Sequence, residues 1–127
     1  MTQFTLMVAA VFGMLAIILG AFGAHALKKT LNEEQLKSFE TGVKYQMYHA
    51  IVLLILGFQL KFTATIETYI IYSLIGGTLL FSFSIYGLVL SAAKHKKLRF
   101  LGPITPLGGL LLTIGWALLL YFSATNL

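Results

Sequence analysis

Residues 68–93, TYIIYSLIGGTLLFSFSIYGLVLSAA, contain no charged residue. An α-helix rises about 1.5 Å per residue, and roughly 20 mostly apolar residues cross the hydrocarbon core of a bilayer, which is about 30 Å thick. The stretch is therefore long enough to cross that core once as a helix. It predicts a membrane-spanning segment and indicates that lipid is the main solvent of this part of the chain.

Three more apolar stretches accompany it, at residues 4–27, 45–60 and 104–124. The whole chain is 58% hydrophobic and only 10% charged, whereas soluble domains are typically about 25% charged. The remaining residues are too few to form a folded aqueous domain. The sequence predicts an all-α fold, an integral membrane four-helix bundle made by a single membrane domain over residues 1–127.

Residues 31–44, between the first and second spans, have a different pattern. Asn32 is a predicted N-cap, with a glutamine three positions later as in a capping box. Leu36, Phe39 and Val43 then recur at helical spacing. The segment is predicted to be a short amphipathic helix at the membrane interface that runs into the second span.

The basic residues predict how the chain is oriented in the membrane. Eight of the nine Lys and Arg residues lie in loops 28–44 and 94–99, which follow the first and third spans, and the connection after the second span holds only Lys61. Lys and Arg concentrate in short cytoplasmic loops. Both basic loops are therefore predicted to be cytoplasmic and both termini outside, in a multi-pass protein of the cytoplasmic (inner) membrane.

A cleaved signal peptide is the competing interpretation of the first span, because Ala24, His25 and Ala26 resemble a small-x-small cleavage site. The start of the chain carries no basic side chain, and the apolar stretch is longer than the roughly 7–15 residues of a signal-peptide core. Residues 4–27 are therefore predicted to remain as a permanent helix.

Small residues recur at helical spacing in the predicted spans, where they allow helices in lipid to approach closely. The predicted packing positions are Gly13, Gly20 and Gly23 in the first span, Gly77 and Gly87 in the third, and Gly108, Gly109 and Gly115 in the fourth. The simpler interpretation is that these glycines close one monomeric bundle. The alternative is a dedicated face for a homo-oligomer or for a larger membrane protein complex.

A few polar side chains form a candidate polar cluster: His25, Tyr45, Gln46, His49, Ser84, Tyr86 and Thr105. His25 and His49 are both expected near the cytoplasmic interface on consecutive antiparallel spans, so they can approach each other. Imidazoles there can relay protons, ligate a metal or bind a haem iron. The alternative is a structural role, in which each forms hydrogen bonds that hold the helix ends together. Two imidazoles without carboxylates are a weak metal signature, so no metal site is predicted.

The pattern indicates neither catalysis nor ion-coupled transport. No nucleophile with its base, no paired carboxylates and no phosphate-binding glycine loop are recognisable, and the chain lacks cysteine. The span centres contain none of the charged residues that proton-coupled carriers need. We expect a protein without catalytic residues or cofactors whose main partner is the lipid bilayer. Nucleic acid is not an expected partner, because topology explains the net charge of +5. Trp116 and most tyrosines are interpreted as interfacial anchors.

Four segments in the same order resemble the YgdD/YwdK-like family of small uncharacterised membrane proteins: GAFGAHALKK (20–29), FETGVKYQMYHA (39–50), FSFSIYGL (81–88) and GPITPLGGLLLTIGW (102–116). The resemblance covers nearly the whole chain and implies a four-helix integral membrane protein without an assigned activity. No catalytic residue can be transferred. The chain departs from the family pattern at Phe83, where relatives tend to have glycine.

The leading hypothesis is a structural, accessory or assembly component of the cytoplasmic membrane, because packing faces are abundant and catalytic patterns are missing. One alternative is an oligomeric facilitator or channel for a small solute or lipid. The other is a haem- or metal-associated subunit that uses His25 and His49.

Overall fold

A computed structural model describes residues 1–126; Leu127, which belongs to the predicted domain, lies outside them. The four helices are α1 (Thr2–His25), α2 (Glu33–Gln59), α3 (Thr65–Ala93) and α4 (Ile104–Asn126). Two short 3-10 turns, Leu27–Lys29 and Arg99–Leu101, follow α1 and precede α4. Within residues 1–126 no strand occurs. The predicted all-α fold with four helices is confirmed.

The helices pack as consecutive neighbours, α1 along α2, α2 against α3 and α3 along α4. The main apolar core draws side chains from all four helices: Ala9, Phe12, Ala50, Leu53, Leu56, Ile70, Ile71, Leu74, Ile75 and Leu112. A smaller cluster, formed by Leu27, Leu31, Phe39, Tyr86 and Val89, lies towards the end that carries the α1–α2 connection. Core packing therefore extends over most of the length of the bundle.

Three of the four helices, α1, α3 and α4, are long and apolar enough to cross a membrane. Helix α2 is equally long, but its first half carries charged side chains, and Gln46 and His49 interrupt its apolar second half. Both of these polar side chains are buried against other helices. Some polar side chains of α2 therefore point into the bundle, where groups of other helices can form hydrogen bonds with them.

The predicted amphipathic segment is the first part of α2 and not a separate helix. The predicted capping box is present: Asn32 Oδ1 accepts a hydrogen bond from the Gln35 N–H at 2.8 Å, and Gln35 Oε1 accepts one from the Asn32 N–H at 3.1 Å. The helix that begins there continues without interruption to Gln59. The amphipathic segment and the expected second span, residues 45–60, therefore belong to one continuous helix.

The apolar face of this first part packs on protein. Phe39 is fully buried. A Cβ atom at Gly23 of α1 would lie 2.8 Å from the Phe39 ring, and the centroid of the Tyr86 ring of α3 lies 5.1 Å from that of Phe39. The expected contact with the lipid surface is therefore replaced at Phe39 by contact with two neighbouring helices, because Gly23 leaves space for the aromatic ring.

Glycines bring the helices together at most of the predicted packing positions. A Cβ atom at Gly77 would lie 2.7 Å from Leu112 Cγ, and one at Gly115 would lie 2.8 Å from Leu74 Cδ2. Gly20 faces Val43 and Gly87 faces Leu101, whereas Gly13 and Gly109 have room for a methyl group. Two glycines outside the predicted set also lack that room, Gly42 against Tyr86 and Gly57 against Leu6. Close approach is thus distributed over the three pairs of consecutive helices.

Helix α3 contains a π-helical turn, Leu79–Phe83, where it meets α4. Gly108 of α4 lies directly against this turn: a Cβ atom there would overlap with Phe81 N and lie 2.7 Å from the Leu80 carbonyl carbon. The contact is between two backbones, and a backbone cannot rotate away as a side chain can. Only glycine permits this approach.

The turn between α2 and α3 is held by Glu67, which is 3% exposed. Its carboxylate accepts four hydrogen bonds of 2.8 to 3.2 Å from the backbone N–H groups of Lys61, Phe62, Thr63 and Ala64. Phe62 has a left-handed backbone, with φ of 54°. Helix α3 begins at Thr65, three residues before the expected span, and therefore includes Glu67 in its first turn.

Gly108→Ala is expected to lower the melting temperature of the purified protein in detergent, because the added methyl group overlaps the backbone of the π turn. Overpacking of this kind costs about 1–3 kcal/mol. Gly109→Ala is the matched control, since its Cβ atom would make an ordinary 3.8 Å contact with the Phe81 ring. Thermal unfolding followed by circular dichroism compares the two variants. Equal melting temperatures would contradict the backbone contact.

Candidate functional site

Gln46 is fully buried where α1, α2 and α3 meet. Its Nε2 atom donates a hydrogen bond to the Phe12 carbonyl oxygen at 2.8 Å, and its Oε1 atom accepts one from the Tyr86 hydroxyl at 2.8 Å. The amide thus connects the backbone of α1 to a side chain of α3. Burying an amide without partners costs roughly 2–7 kcal/mol. Both bonds therefore favour this arrangement of the three helices.

A second contact joins α3 to α2 one turn away. Ser82 Oγ donates a hydrogen bond to the Gly42 carbonyl oxygen at 2.7 Å. The Tyr86 ring lies over Gly42, where a Cβ atom would come within 2.7 Å of Tyr86 Cε1. A larger residue at position 42 would displace the ring and separate its hydroxyl from Gln46. The glycine is therefore part of the polar cluster although it contributes only its carbonyl group and the space above its Cα atom.

His49 lies one turn further along α2, and 5% of its surface is exposed. Nδ1 lies 2.7 Å from the Tyr45 carbonyl oxygen, and Trp116 Nε1 lies 3.1 Å from His49 Nε2. A carbonyl oxygen only accepts, so Nδ1 carries the hydrogen; an indole N–H only donates, so Nε2 is the acceptor. These two contacts are both satisfied by a neutral imidazole with its hydrogen on Nδ1.

The contact between His49 and Trp116 joins α2 to α4 and borders a groove of about 340 Å³ between these helices. The two ring centroids are 6.1 Å apart and the rings are steeply inclined. Tyr45 supplies its carbonyl oxygen to His49, while its ring contacts Phe81 and remains partly exposed. The indole, which is itself exposed, therefore shields the imidazole at the outer surface of the bundle.

His49 lies deeper than expected. Gly13, close to the midpoint of α1, faces Ala50 of α2. His49 is therefore about half-way along the bundle and not at the end that carries the α1–α2 connection, where it is expected. The expectation rests on a second span that begins at residue 45, whereas α2 begins at Glu33 and its first turns already pack along α1.

His25 does not join the polar cluster. It is the last residue of α1 and is exposed. Because Gly13 faces Ala50, His49 is level with residue 14 of α1, and the separation from His25 is roughly 16 Å along the helix axis. The expected approach of the two imidazoles is wrong. A metal ion or haem iron bound by both residues is incompatible with this separation.

Ser84 and Thr105 form a separate pair at the start of α4. The two hydroxyl oxygens are 2.6 Å apart, and Ser84 also donates to the Phe81 carbonyl oxygen at 2.9 Å. With its hydrogen used in that bond, Ser84 accepts the hydrogen bond of Thr105. The predicted proximity of Ser84 and Thr105 is present, and their hydrogen bonds link α3 to α4 without including Gln46 or His49.

The polar side chains satisfy one another. Throughout residues 1–126, every buried side-chain nitrogen or oxygen has a hydrogen-bond partner within the chain. In the same residues no group of three or more His, Cys, Asp or Glu side chains is arranged to hold a metal ion. The contacts of the cluster join α2 to each of the other helices. Chemically, this arrangement can fix the register and rotation of the helices.

Besides Gly42, sequence reasoning missed two side chains of the cluster. As an interfacial anchor Trp116 is expected at an end of its span, but it lies near the middle of α4 and donates a hydrogen bond to His49. Aromatic belts lie at the ends of spans, so the central position of Trp116 within residues 104–124 was an available signal. Ser82 offered no comparable signal, because the π turn that directs it towards Gly42 is not visible in the periodicity of the sequence.

The comparisons with known proteins identify relatives over most of the chain. A family model described as a protein of unknown function (DUF423) matches residues 19–109. A UPF0382 membrane protein of Schizosaccharomyces pombe is 40% identical over 114 residues, which cover 89% of this chain and 95% of the relative. The UPF0382 inner membrane protein YgdD of Escherichia coli is 39% identical over 122 residues, with 94% and 88% covered.

A UPF0382 membrane protein of Staphylococcus aureus is 38% identical over 107 residues, which cover 84% of each chain. No solved structure matches the chain significantly. The resemblance to the YgdD-like family that the sequence motifs indicated is confirmed by these relatives. Their names describe membrane proteins and state no activity.

His49→Phe is expected to alter the fluorescence of Trp116, the only tryptophan of the chain. The variant keeps a ring but removes the acceptor of the indole N–H, so the emission maximum is expected to move to shorter wavelength. The melting temperature in detergent is also expected to fall, since interhelical hydrogen bonds in membranes contribute about 0.6 kcal/mol on average. His25→Phe is the control, because His25 is exposed at the end of α1. Unchanged emission in His49→Phe would contradict the hydrogen bond.

Proposed function

The chain belongs to the UPF0382 (DUF423) family of membrane proteins, and on this premise we propose that it is a small structural or accessory component of the cytoplasmic membrane. In this role it binds a larger membrane protein and stabilises it or its assembly. It performs no reaction of its own, and neither a cofactor nor nucleic acid takes part.

The observation that carries the proposal is the internal pairing of the polar cluster. Gln46 and Tyr86 use their side-chain polar atoms for contacts between helices, and His49 uses Nε2 in the same way while its Nδ1 pairs within α2. A site that binds a polar substrate keeps donors or acceptors available for it. Paired groups of this kind instead favour one rigid arrangement of the helices, which suits a protein that presents a fixed surface to a partner.

The outer surfaces of the terminal helices suit such a partner. Helix α1 exposes the large apolar side chains Met7, Val11, Met14, Ile17, Ile18 and Phe22, and α4 exposes Leu107, Leu110, Ile114, Trp116, Leu120 and Tyr121. These side chains are compatible with contact to lipid or to the helices of another membrane protein. Helix association in lipid depends on shape complementarity rather than on apolar burial. A rigid bundle preserves that shape.

The proposed topology has four crossings, with the α1–α2 and α3–α4 connections in the cytoplasm and both termini outside. The support is the distribution of basic side chains, with Lys61 alone in the α2–α3 turn. The pairing of Gln46 and His49 inside the bundle allows α2 to cross together with its three more apolar neighbours.

Single-cysteine variants test the orientation directly, because the natural chain has no cysteine. Thr63→Cys in the α2–α3 turn is expected to react with a membrane-impermeant maleimide added to intact cells. Lys96→Cys in the α3–α4 connection is expected to react only after the membrane is permeabilised. The opposite labelling pattern would contradict the orientation, and labelling of both variants in intact cells would contradict four crossings.

The partner is tested by affinity purification of the tagged protein from native membranes in mild detergent. A larger membrane protein is expected in a fixed ratio, and Ile17→Trp on α1 or Leu120→Trp on α4 is expected to release it while the melting temperature stays unchanged. These side chains are 66% and 73% exposed, so the bundle tolerates their enlargement. Recovery of the protein alone, together with solute flux in liposomes that contain only this protein, would contradict the accessory role and favour a facilitator.

A further inference from the structure

A groove of about 870 Å³ lies at the end of the bundle where the basic loops are, and it does not include Gln46 or His49. One wall is the beginning of α2, from Asn32 to Ser38, and the other is the segment that leads into α4, from Lys97 to Pro106. The last two turns of α3 form the floor. The groove therefore opens where the spans meet the proposed cytoplasmic surface of the membrane.

The floor of the groove is apolar. It is formed by Ile85, Leu88, Val89 and Ala92, which follow one another along the face of α3 between the two walls. Three of these side chains are only partly buried by the protein. These side chains form an apolar strip along α3 that runs from the proposed membrane interface towards the bilayer core. A ligand that covers the strip must be apolar over the same length.

The rim of the groove is polar and carries an excess of positive charge. Lys97 and Arg99 line one wall, and Glu34 lines the other. Lys94 and Lys96, both exposed, belong to the same loop and increase its positive potential. The occupant that complements this rim has a negatively charged head group.

The position of the basic loop is fixed by Ser91. Its carbonyl oxygen accepts a hydrogen bond from the Lys96 N–H at 2.9 Å, and its Oγ atom accepts one from the Leu98 N–H at 3.1 Å. The two bonds flank Lys97 in the sequence. His95 permits this return of the chain by adopting a left-handed backbone, with φ of 59°. Lys97 thus lies in a loop that is hydrogen-bonded to the end of α3, the helix that forms the floor of the groove.

We propose that this groove binds an anionic glycerophospholipid, with its phosphate beside Lys97 and Arg99 and an acyl chain along the floor formed by α3. Basic pockets between helices on the cytoplasmic side bind anionic head groups, and the charge of the rim matches such a lipid. Only one part of this inference rests on the proposed membrane orientation, namely that the lipid comes from the cytoplasmic leaflet. Binding in detergent does not depend on that orientation or on a protein partner.

Native mass spectrometry of the full-length protein in mild detergent tests the proposal, with phosphatidylglycerol and phosphatidylethanolamine of identical acyl chains as probes. Phosphatidylglycerol is expected to bind at least fivefold more tightly. The double variant Lys97→Gln/Arg99→Gln is expected to remove this preference, since each basic residue near a membrane surface contributes about fivefold to anionic lipid binding. Lys28→Gln/Lys29→Gln is the matched control, because it removes two basic charges from the other basic loop.

Equal binding of the two lipids to the natural protein would overturn the proposal. An equal loss of binding in the control double variant would also overturn it, because the attraction would then come from the general charge of this end and not from the groove. Melting temperatures of all variants in detergent confirm that each is folded before its lipid binding is compared.

A second variant tests the floor without changing any charge. Ala92→Phe places a ring on the apolar strip and is expected to weaken phosphatidylglycerol binding at least fivefold. Glycerol 3-phosphate, which has the phosphate without acyl chains, is expected not to compete at concentrations that saturate the lipid site. Effective competition by glycerol 3-phosphate would overturn the lipid assignment in favour of a soluble phosphate ligand. Unchanged lipid binding in a folded Ala92→Phe protein would also overturn it.

Discussion

The hydrogen bonds of Gln46 are the interaction on which the rest of the bundle depends. In an apolar environment a buried amide must find partners inside the protein, because no water replaces them. Gln46 finds them on two helices, the Phe12 carbonyl oxygen of α1 and the Tyr86 hydroxyl of α3. His49 extends the same principle to α4 through Trp116. Helix α2 is thus the most polar helix of the bundle. The hydrogen bonds of its buried side chains favour one rotation of the other three helices around it.

These hydrogen bonds form only because the helices approach one another closely. Tyr86 reaches Gln46 because Gly42 leaves room for its ring, and α4 reaches the π turn of α3 because Gly108 has no side chain. Small residues and hydrogen bonds are the two means by which helices associate in lipid, where apolar burial offers little. At the end of the bundle that carries the basic loops, the groove between the beginning of α2 and the segment leading into α4 is the proposed lipid site.

The sequence predicted the all-α fold, the capping box at Asn32 and most of the glycine contacts, because apolar length, cap chemistry and small-residue spacing are local patterns. It did not predict the depth of His49. Depth depends on how α1 and α2 align, and that alignment is set by contacts such as Phe39 in the space above Gly23, which join residues distant in the chain. For the same reason the sequence grouped His25 with His49 and separated Trp116 from it. Membership in the polar cluster was predictable for Gln46 and Tyr86 by residue type, but their partners were not.

The contact between His49 and Trp116 requires a neutral imidazole that accepts the indole N–H at Nε2, and a single measurement can test this. Nitrogen-15 magnetic resonance of histidine side chains, recorded in lipid bilayers and assigned to His49 by comparison with His49→Phe, reports which ring nitrogen carries hydrogen. Hydrogen is expected on Nδ1 only, with Nε2 as an unprotonated acceptor whose signal changes in Trp116→Phe. Hydrogen on Nε2, or on both nitrogens at neutral pH, would contradict the arrangement on which the bundle and its proposed role are based.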